Sequence, residues 1–253
     1  MSRDALMAIA AAREINDGEV AFIGTGLPMV AAYLAKATHA PSVTLVFESG
    51  IIDPAPLELA TGVGEYRLAY GASAIRGTRA ALTLLQQGRV DLGFLGTAEI
   101  DAYGNLNSTA IGDYRRPKVR LPGSGGANDI ASMAARTVVI ARAGRRRFVE
   151  SLNYLTTPGH LTGPGARRQA GLPGDGPVRV ITDMGVLGFH PATLRMRVER
   201  LFPGFTPDQI QAEIGFRLED PGEIVTDAAP DAETLALLRR IDPAGTYVKL
   251  QDE

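Results

Sequence analysis

Residues 43–50 read Val43-Thr44-Leu45-Val46-Phe47-Glu48-Ser49-Gly50. The first five form an apolar, β-branched run, the pattern of a strand covered on both faces. A glutamate directly after such a strand, with glycine two positions on, is an acid at the mouth of a sheet. Glycine there permits a sharp turn and the close approach of another backbone or a ligand. In an open α/β sheet the carboxyl ends of the strands are where ligands bind. Glu48, with Ser49 and Gly50 in its turn, is therefore the first candidate functional residue.

The flanking sequence repeats this organisation. Ala5, Ile9, Ala12 and Ile15 recur at helical spacing behind Ser2, a suitable N-cap, and Gly18 stops that helix. Glu19–Ile23 reads as a strand. The turn Gly24-Thr25-Gly26-Leu27-Pro28 leads into a helix that runs to Thr38, with Pro28 at its first position. Residues 49–65 read as a long loop, 74–87 as a helix stopped by Gly88, and Val90–Leu95 as a buried strand. After an irregular stretch over 101–129, a helix is expected from Asn128 to Arg136 and a strand from Thr137 to Ala141. Helices alternating with strands predict an α/β fold, a mostly parallel sheet covered by helices.

The last hundred residues differ. Val178–Thr182 and Val186–Phe189 flank Asp183-Met184-Gly185, a hairpin signal, and Leu194–Leu201 alternates as a strand. Thr206-Pro207-Asp208-Gln209 has capping-box form, and a short helix is expected over Ala232–Arg240. Residues 151–253 thus read as a β-rich C-terminal extension of the same single domain as the α/β core of residues 1–150.

Composition narrows the function classes. Charged residues are 21% of the 253, and the net charge of −2 points to neither nucleic acid nor a membrane surface as partner. The chain has no cysteine, which excludes disulfides, thiolate metal sites and a thiol nucleophile. No apolar stretch reaches the length of a membrane span, and no signal peptide is expected, so the expected compartment is the cytoplasm. His39, His160 and His190 are isolated and lack metal-ligand spacing, so no metal is expected.

Two glycine loops accompany Glu48. Gly24-Thr25-Gly26, between strand and helix, is either a bare turn or a loop whose amides face an anion at a helix N-terminus. It lacks the further glycine of a dinucleotide fingerprint. Gly123-Ser124-Gly125-Gly126-Ala127, just before a helix, is either a connector or a nest of backbone N–H groups for an oxyanion. Asp101-Ala102-Tyr103-Gly104-Asn105-Leu106-Asn107 is first a turn, with Asn107 able to offer an amide to a carbonyl oxygen. Arg115, Arg116, Lys118 and Arg120, and the run Arg145-Arg146-Arg147, are either solvated surface, interface or phosphate holders.

Taken in order, these stretches resemble the B (beta) subunits of the class I coenzyme A transferases, the glutaconate type most closely. The resemblance is carried by Gly24-Thr25-Gly26-Leu27-Pro28, Glu48-Ser49-Gly50, the run from Asp101 through Asn107-Ser108-Thr109 to Gly112-Asp113-Tyr114, Gly123–Asn128, and Thr157-Pro158-Gly159. It continues through Gly171–Asp175 and Val180–Asp183 and spans nearly the whole chain. It implies the CoA-transferase/NagB-like fold and an A (alpha) subunit as obligate partner, in a hetero-oligomer of A–B pairs with the active site at their interface. Met29, Val30 and Tyr33 are expected on the face the partner covers. It implies that Glu48 is the nucleophile and carries a glutamyl-CoA thioester. It places Gly125, Gly126, Ala127, Asn107 and Thr25 around the acyl-CoA and its oxyanion, with Gly24, Gly26, Ser49 and Gly50 as the substrate loop. Coenzyme A is then a substrate, with no tightly bound cofactor, and acyl-CoA and small carboxylic acids are the small-molecule partners. Related subunits decarboxylate thioesters with a cysteine in place of this glutamate, or open rings without the Glu-x-Gly pattern. Glu48 and the absence of cysteine favour transfer. Two rival expectations are an acyl-CoA hydrolase on the same scaffold and a non-catalytic effector-binding module.

Overall fold

The computed structural model describes residues 2–250. They form two compact units, one holding the chain up to Phe94 together with the residues from Ala229 onward, the other Leu95–Ala228.

In the first unit, α1 (Arg3–Ala12) is capped by Ser2, whose hydroxyl accepts from the Ala5 N–H. Every residue from Ala5 to Ala12 is buried, which its five alanines allow by keeping the helix narrow. Next come β1 (Val20–Ile23), α2 (Leu27–Ala37), β2 (Thr44–Phe47), β3 (Ile51–Ile52), β4 (Ala74–Ile75), α3 (Thr78–Gln86) and β5 (Leu92–Leu95). The strand order is β5-β1-β2-β3-β4. β5, β1 and β2 run parallel, whereas β3 and β4 are antiparallel additions at the edge. A helix over Ala232–Ile241 returns to this unit and packs on α2.

Two expectations change here. Ala74 and Ile75 do not begin a helix. They pair with Ile52 and Ile51, inside what had read as a loop, and the helix starts only after Gly77, whose φ of 78° lies outside helical space. Met29 and Val30 are 0% exposed in the unit's own core, so they form no partner face. Tyr33 is half-buried, with its hydroxyl donating to the Pro54 carbonyl.

The second unit opens with two small hairpins, β6 (Glu99–Ile100) with β7 (Leu106–Asn107) and β8 (Ala110–Ile111) with β9 (Val119–Arg120). Then follow α4 (Ala127–Met133), β10 (Arg136–Ile140), α5 (Ala166–Gln169), β11 (Gly176–Ile181), β12 (Gly185–Phe189), β13 (Met196–Leu201), α6 (Pro207–Glu213) and β14 (Val225–Thr226). Their sheet order is β14-β13-β12-β11-β10. β10 and β11 are parallel, and β11, β12 and β13 form an antiparallel meander. The β11–β12 turn is closed by the Thr182 hydroxyl, which donates to the Gly185 carbonyl and accepts from the Met184 and Gly185 N–H groups. The capping box at Thr206 is present with both of its bonds. The architecture is α/β, a mixed sheet with parallel strands and covering helices.

Candidate active site

The register of β1 on β2 sets Ile23 beside Phe47. Parallel strands lie about 4.8 Å apart, so Gly24 and Glu48 leave the sheet side by side at its carboxyl edge. The Glu48 turn is tight. The Gly50 N–H donates to the Phe47 carbonyl at 2.8 Å, and the Arg76 N–H donates to the Gly50 carbonyl at 2.9 Å. Gly50 has φ +80°, and the backbone of Gly77 occupies the place where its Cβ would stand. The start of α3 is thereby docked on the turn that aims Glu48. Glu48 and Ser49 are half-buried, and the Ser49 hydroxyl is hidden from solvent with no hydrogen-bond partner among the described residues. On the neighbouring strand, Gly26 (φ +93°) begins α2 without any side-chain cap. Pro28 has no N–H and the Met29 N–H donates to the Gly26 carbonyl at 3.1 Å, so the Leu27 N–H is the first-turn donor of α2 left for an anionic ligand among the described residues. A Cβ on Gly24 would meet nothing within 4 Å, so this turn leaves room for a ligand to approach.

In the second unit the glycine loop is built into a hydrogen-bonded frame. The Gly123 N–H donates to the Ser108 carbonyl at 2.8 Å, and the Ser108 hydroxyl donates to the Gly123 carbonyl at 2.9 Å. Ser124 braces the start of α4 from two residues before its N-cap Gly126, with its carbonyl accepting from the Ala127 N–H and its hydroxyl from the Asn128 N–H. The Asn128 amide donates to the Thr156 carbonyl at 2.9 Å. Left-handed Gly125 (φ +49°) is followed by right-handed Gly126 (φ −78°), the alternation that makes successive amides converge. Because the Ala127 N–H serves the turn, Ala127 belongs to the frame of this loop, whereas the Gly125 N–H has no partner among the described residues.

Asn107 is 0% exposed, and its amide is occupied. Its NH2 donates to Glu99 Oε2 at 2.7 Å and to the Ala110 carbonyl at 2.8 Å, while its oxygen accepts from the Thr109 N–H. Glu99, 3% exposed, also accepts from the Asn153 N–H and side-chain amide. The geometry thus makes Asn107 a clamp for the loop frame. Asp101 and Asn105 do similar work. The Asp101 carboxylate accepts from the Tyr103 N–H and from the Asn105 N–H and amide, and the Asn105 oxygen accepts from the Gly159 and Leu161 N–H groups. Burial raises the Asp101 pKa despite those donors. Gly159 lies directly on the Gly104 backbone, which explains the glycine of Thr157-Pro158-Gly159.

Residues 5–213 match the family model described as "Coenzyme A transferase". This chain belongs to the coenzyme A transferase family. It is 40% identical to the B subunit of the 3-oxoadipate CoA-transferase of Pseudomonas knackmussii, over 95% of this chain and 93% of that one. It is 38% identical to the B subunit of the glutaconate CoA-transferase of Acidaminococcus fermentans, over 98% and 95% of the two chains. The crystal structure of the latter enzyme superposes with a TM-score of 0.93 over 99% of this chain and 98% of that one. A decarboxylase, AibA/AibB, shares the fold at a TM-score of 0.84 and 28% identity, over 97% of each chain, and several of its solved forms replace a cysteine.

This coenzyme A transferase chain also has a cavity of about 540 Å³ in its second unit, whose lining includes neither Glu48 nor a residue of the two glycine loops. It is lined by His160, Arg167, Asp175 and Phe189 among others. Arg167 is 7% exposed and donates to the carbonyls of Pro158, Gly159, Ala131 and Pro173. It ties α4 to two loops, and both of its terminal nitrogens are spent on those carbonyls. His160, 6% exposed, rests edge-on against Phe189, and burial, aided by the charge of Arg167, pushes its pKa down to about 4. Sequence reading set His160 aside as isolated and passed over Arg167, because a lone histidine or arginine carries no local signal of burial. Among the described residues no group of three or more His, Cys, Asp or Glu is placed to hold a metal, and no helix is long and apolar enough to cross a membrane.

Proposed function

We propose that this chain is the catalytic B subunit of a heteromeric CoA-transferase and that Glu48 carries CoA between two carboxylic acids as a glutamyl-CoA thioester. The observation that carries this reading is the Glu48-Ser49-Gly50 turn. It holds a carboxylate at the carboxyl edge of three parallel strands, beside an uncapped helix start, by a glycine–glycine backbone contact. The absence of cysteine weighs against the cysteine-containing decarboxylase as the functional model.

The Glu48 carboxylate attacks the donor thioester carbonyl, and collapse expels CoA thiolate and leaves a mixed anhydride. The thiolate attacks the Glu48 acyl carbon of the anhydride and releases the donor acid. The acceptor carboxylate then attacks the glutamyl thioester, giving a second anhydride and thiolate. Attack of the thiolate on the acceptor's acyl carbon frees Glu48 unchanged. Each tetrahedral intermediate needs oxyanion donors, a role the resemblance assigns to Gly125 and Gly126, and losing one such donor costs about 10²–10³ in rate. Asn107 and Ala127 hold that segment, while Thr25, Gly24 and Gly26 line the substrate side of Glu48. Anhydride and thioester are both open to water, so a partner A subunit closing the site is part of the proposal. The two relatives compared above are both B subunits, which supports it. So does the concentration of exposed Leu57, Tyr66, Tyr70 and Ile75 in the one segment that follows Glu48.

The test is trapping. With donor acyl-CoA and no acceptor, the assembled enzyme treated with borohydride should be inactivated and carry a mass change on the Glu48 peptide. Glu48→Gln should lose transfer and acquire no adduct. An unmodified Glu48 peptide together with intersecting double-reciprocal lines overturns the covalent carrier. Steady release of free acid without an acceptor identifies a hydrolase, and CoA binding without turnover identifies an effector module.

A further inference from the structure

The reaction at Glu48 assigns no part to the cavity of about 540 Å³ in the second unit. Its volume is that of small-molecule sites, about 300–1,000 Å³. One side of its wall is cationic. Arg167 is 7% exposed, and its hydrogen bonds go to carbonyls, none to a carboxylate, among the described residues. Its Nε is buried without a hydrogen-bond partner among those residues. A Cβ on Gly176 would stand 3.1 Å from that nitrogen, so glycine there keeps space beside the guanidinium. Burial lowers the Arg167 pKa against the opposing pull of Asp175, the mark of a buried cation short of counter-charge. Arg168, on the same wall, is exposed, and its side chain has no partner among the described residues.

The charges of the wall add up to one uncompensated cation. Arg179 is paired with Glu199, and Asp175 offsets one of Arg167 and Arg168. The other side is apolar. Leu172, Val178, Phe189 and Leu194 all line the cavity and all remain only half-buried. Leu194 reaches the wall in the left-handed conformation, φ +55°, which a branched side chain seldom adopts and which its N–H bond to the His190 carbonyl holds.

We propose that this cavity binds a singly charged organic carboxylate with an apolar body, the head on Arg168 beside Arg167 and the body on Leu172, Val178, Phe189 and Leu194. A guanidinium fork matches a carboxylate, and half-buried apolar walls favour a hydrocarbon or aryl body over a bare ion. A doubly charged phosphate is the less favoured occupant, because Asp175 stands on the same wall. The site is independent of whether Glu48 carries CoA. Arg167 also holds the Ala131 carbonyl of α4, so an occupant touches the frame of the glycine loop.

The test is hydrogen exchange on the chain assembled with its co-purifying A subunit, with 4-phenylbutanoate as probe and its neutral amide as control. The acid should protect peptides covering residues 160–179, and the amide should bind at least ~10-fold more weakly. Arg168→Glu should lower affinity for the acid at least ~10-fold; the side chain is exposed and bonds nothing described, so folding tolerates its reversal. Val178→Trp, which fills the apolar side, should abolish the protection. No protection over 160–179, or protection confined to the Glu48 turn, overturns the proposal. So does equal affinity for acid and amide, or affinity that Arg168→Glu leaves unchanged. Inorganic phosphate that displaces the probe and binds more tightly makes this a phosphate site and overturns the carboxylate. Borohydride trapping at Glu48 is scored on a different peptide, so the two readings fail separately.

Discussion

Gly50 meets two constraints at once. Its φ of +80° disfavours any side chain, and the Gly77 backbone fills the space of a Cβ. The first constraint costs about 1–2 kcal/mol and overpacking about 1–3 kcal/mol. Gly50→Ala should therefore lower stability by about 2–5 kcal/mol in denaturant melts and reduce kcat, since the displaced turn carries Glu48. A variant that melts and turns over as wild type does would show that the contact does not set the turn. His160 makes the second prediction at this scale. Burial holds its pKa at about 4 in the folded chain, below the unfolded value of about 6.5, so folding favours the neutral ring. The stability this contributes is complete above about pH 6.5 and is lost as pH falls toward 4, by up to about 3 kcal/mol. Melting temperature should drop across that window, and His160→Gln should flatten the drop; an unchanged slope rejects the assignment. At this scale Glu48 was legible, because a strand-end acid before glycine is a local pattern. The occupied amide of Asn107 was not, because its partner Glu99 is eight residues away across a hairpin.

Helices with side-chain caps were the most legible elements. Ser2 before α1 and the capping box of α6 are local devices that act whatever packs around them. β3, β4 and the strands of the two small hairpins were not legible, since two residues are too few to display a period of two. They exist because distant backbone supplies their partners. The segment between β3 and β4 is where the element scale makes its prediction. Tyr66 is 96% exposed and Ile75 62%, with β4 at the free edge of its sheet. If this segment meets the A subunit, Tyr66→Glu should leave folding intact and weaken assembly by about 2 kcal/mol or more, roughly 30-fold. Co-elution with the partner at wild-type concentrations would remove the segment from the interface.

At the scale of the whole molecule, sequence alone determined the family, the alternation of helix and strand, and the carboxylate placed at a strand end. These follow from short-range rules: periodicity, capping, and the glycines that tight turns demand. Tertiary structure decided the rest. It divided the chain at Leu95 and returned the C-terminal helix to the first unit. It buried Met29 and Val30 within their own core and spent the amide of Asn107 on Glu99 and Ala110. It also set Arg167 and Leu194 on the wall of one cavity. Each depends on which surfaces meet after folding, and burial is a property of the neighbours a residue acquires, which no local pattern encodes.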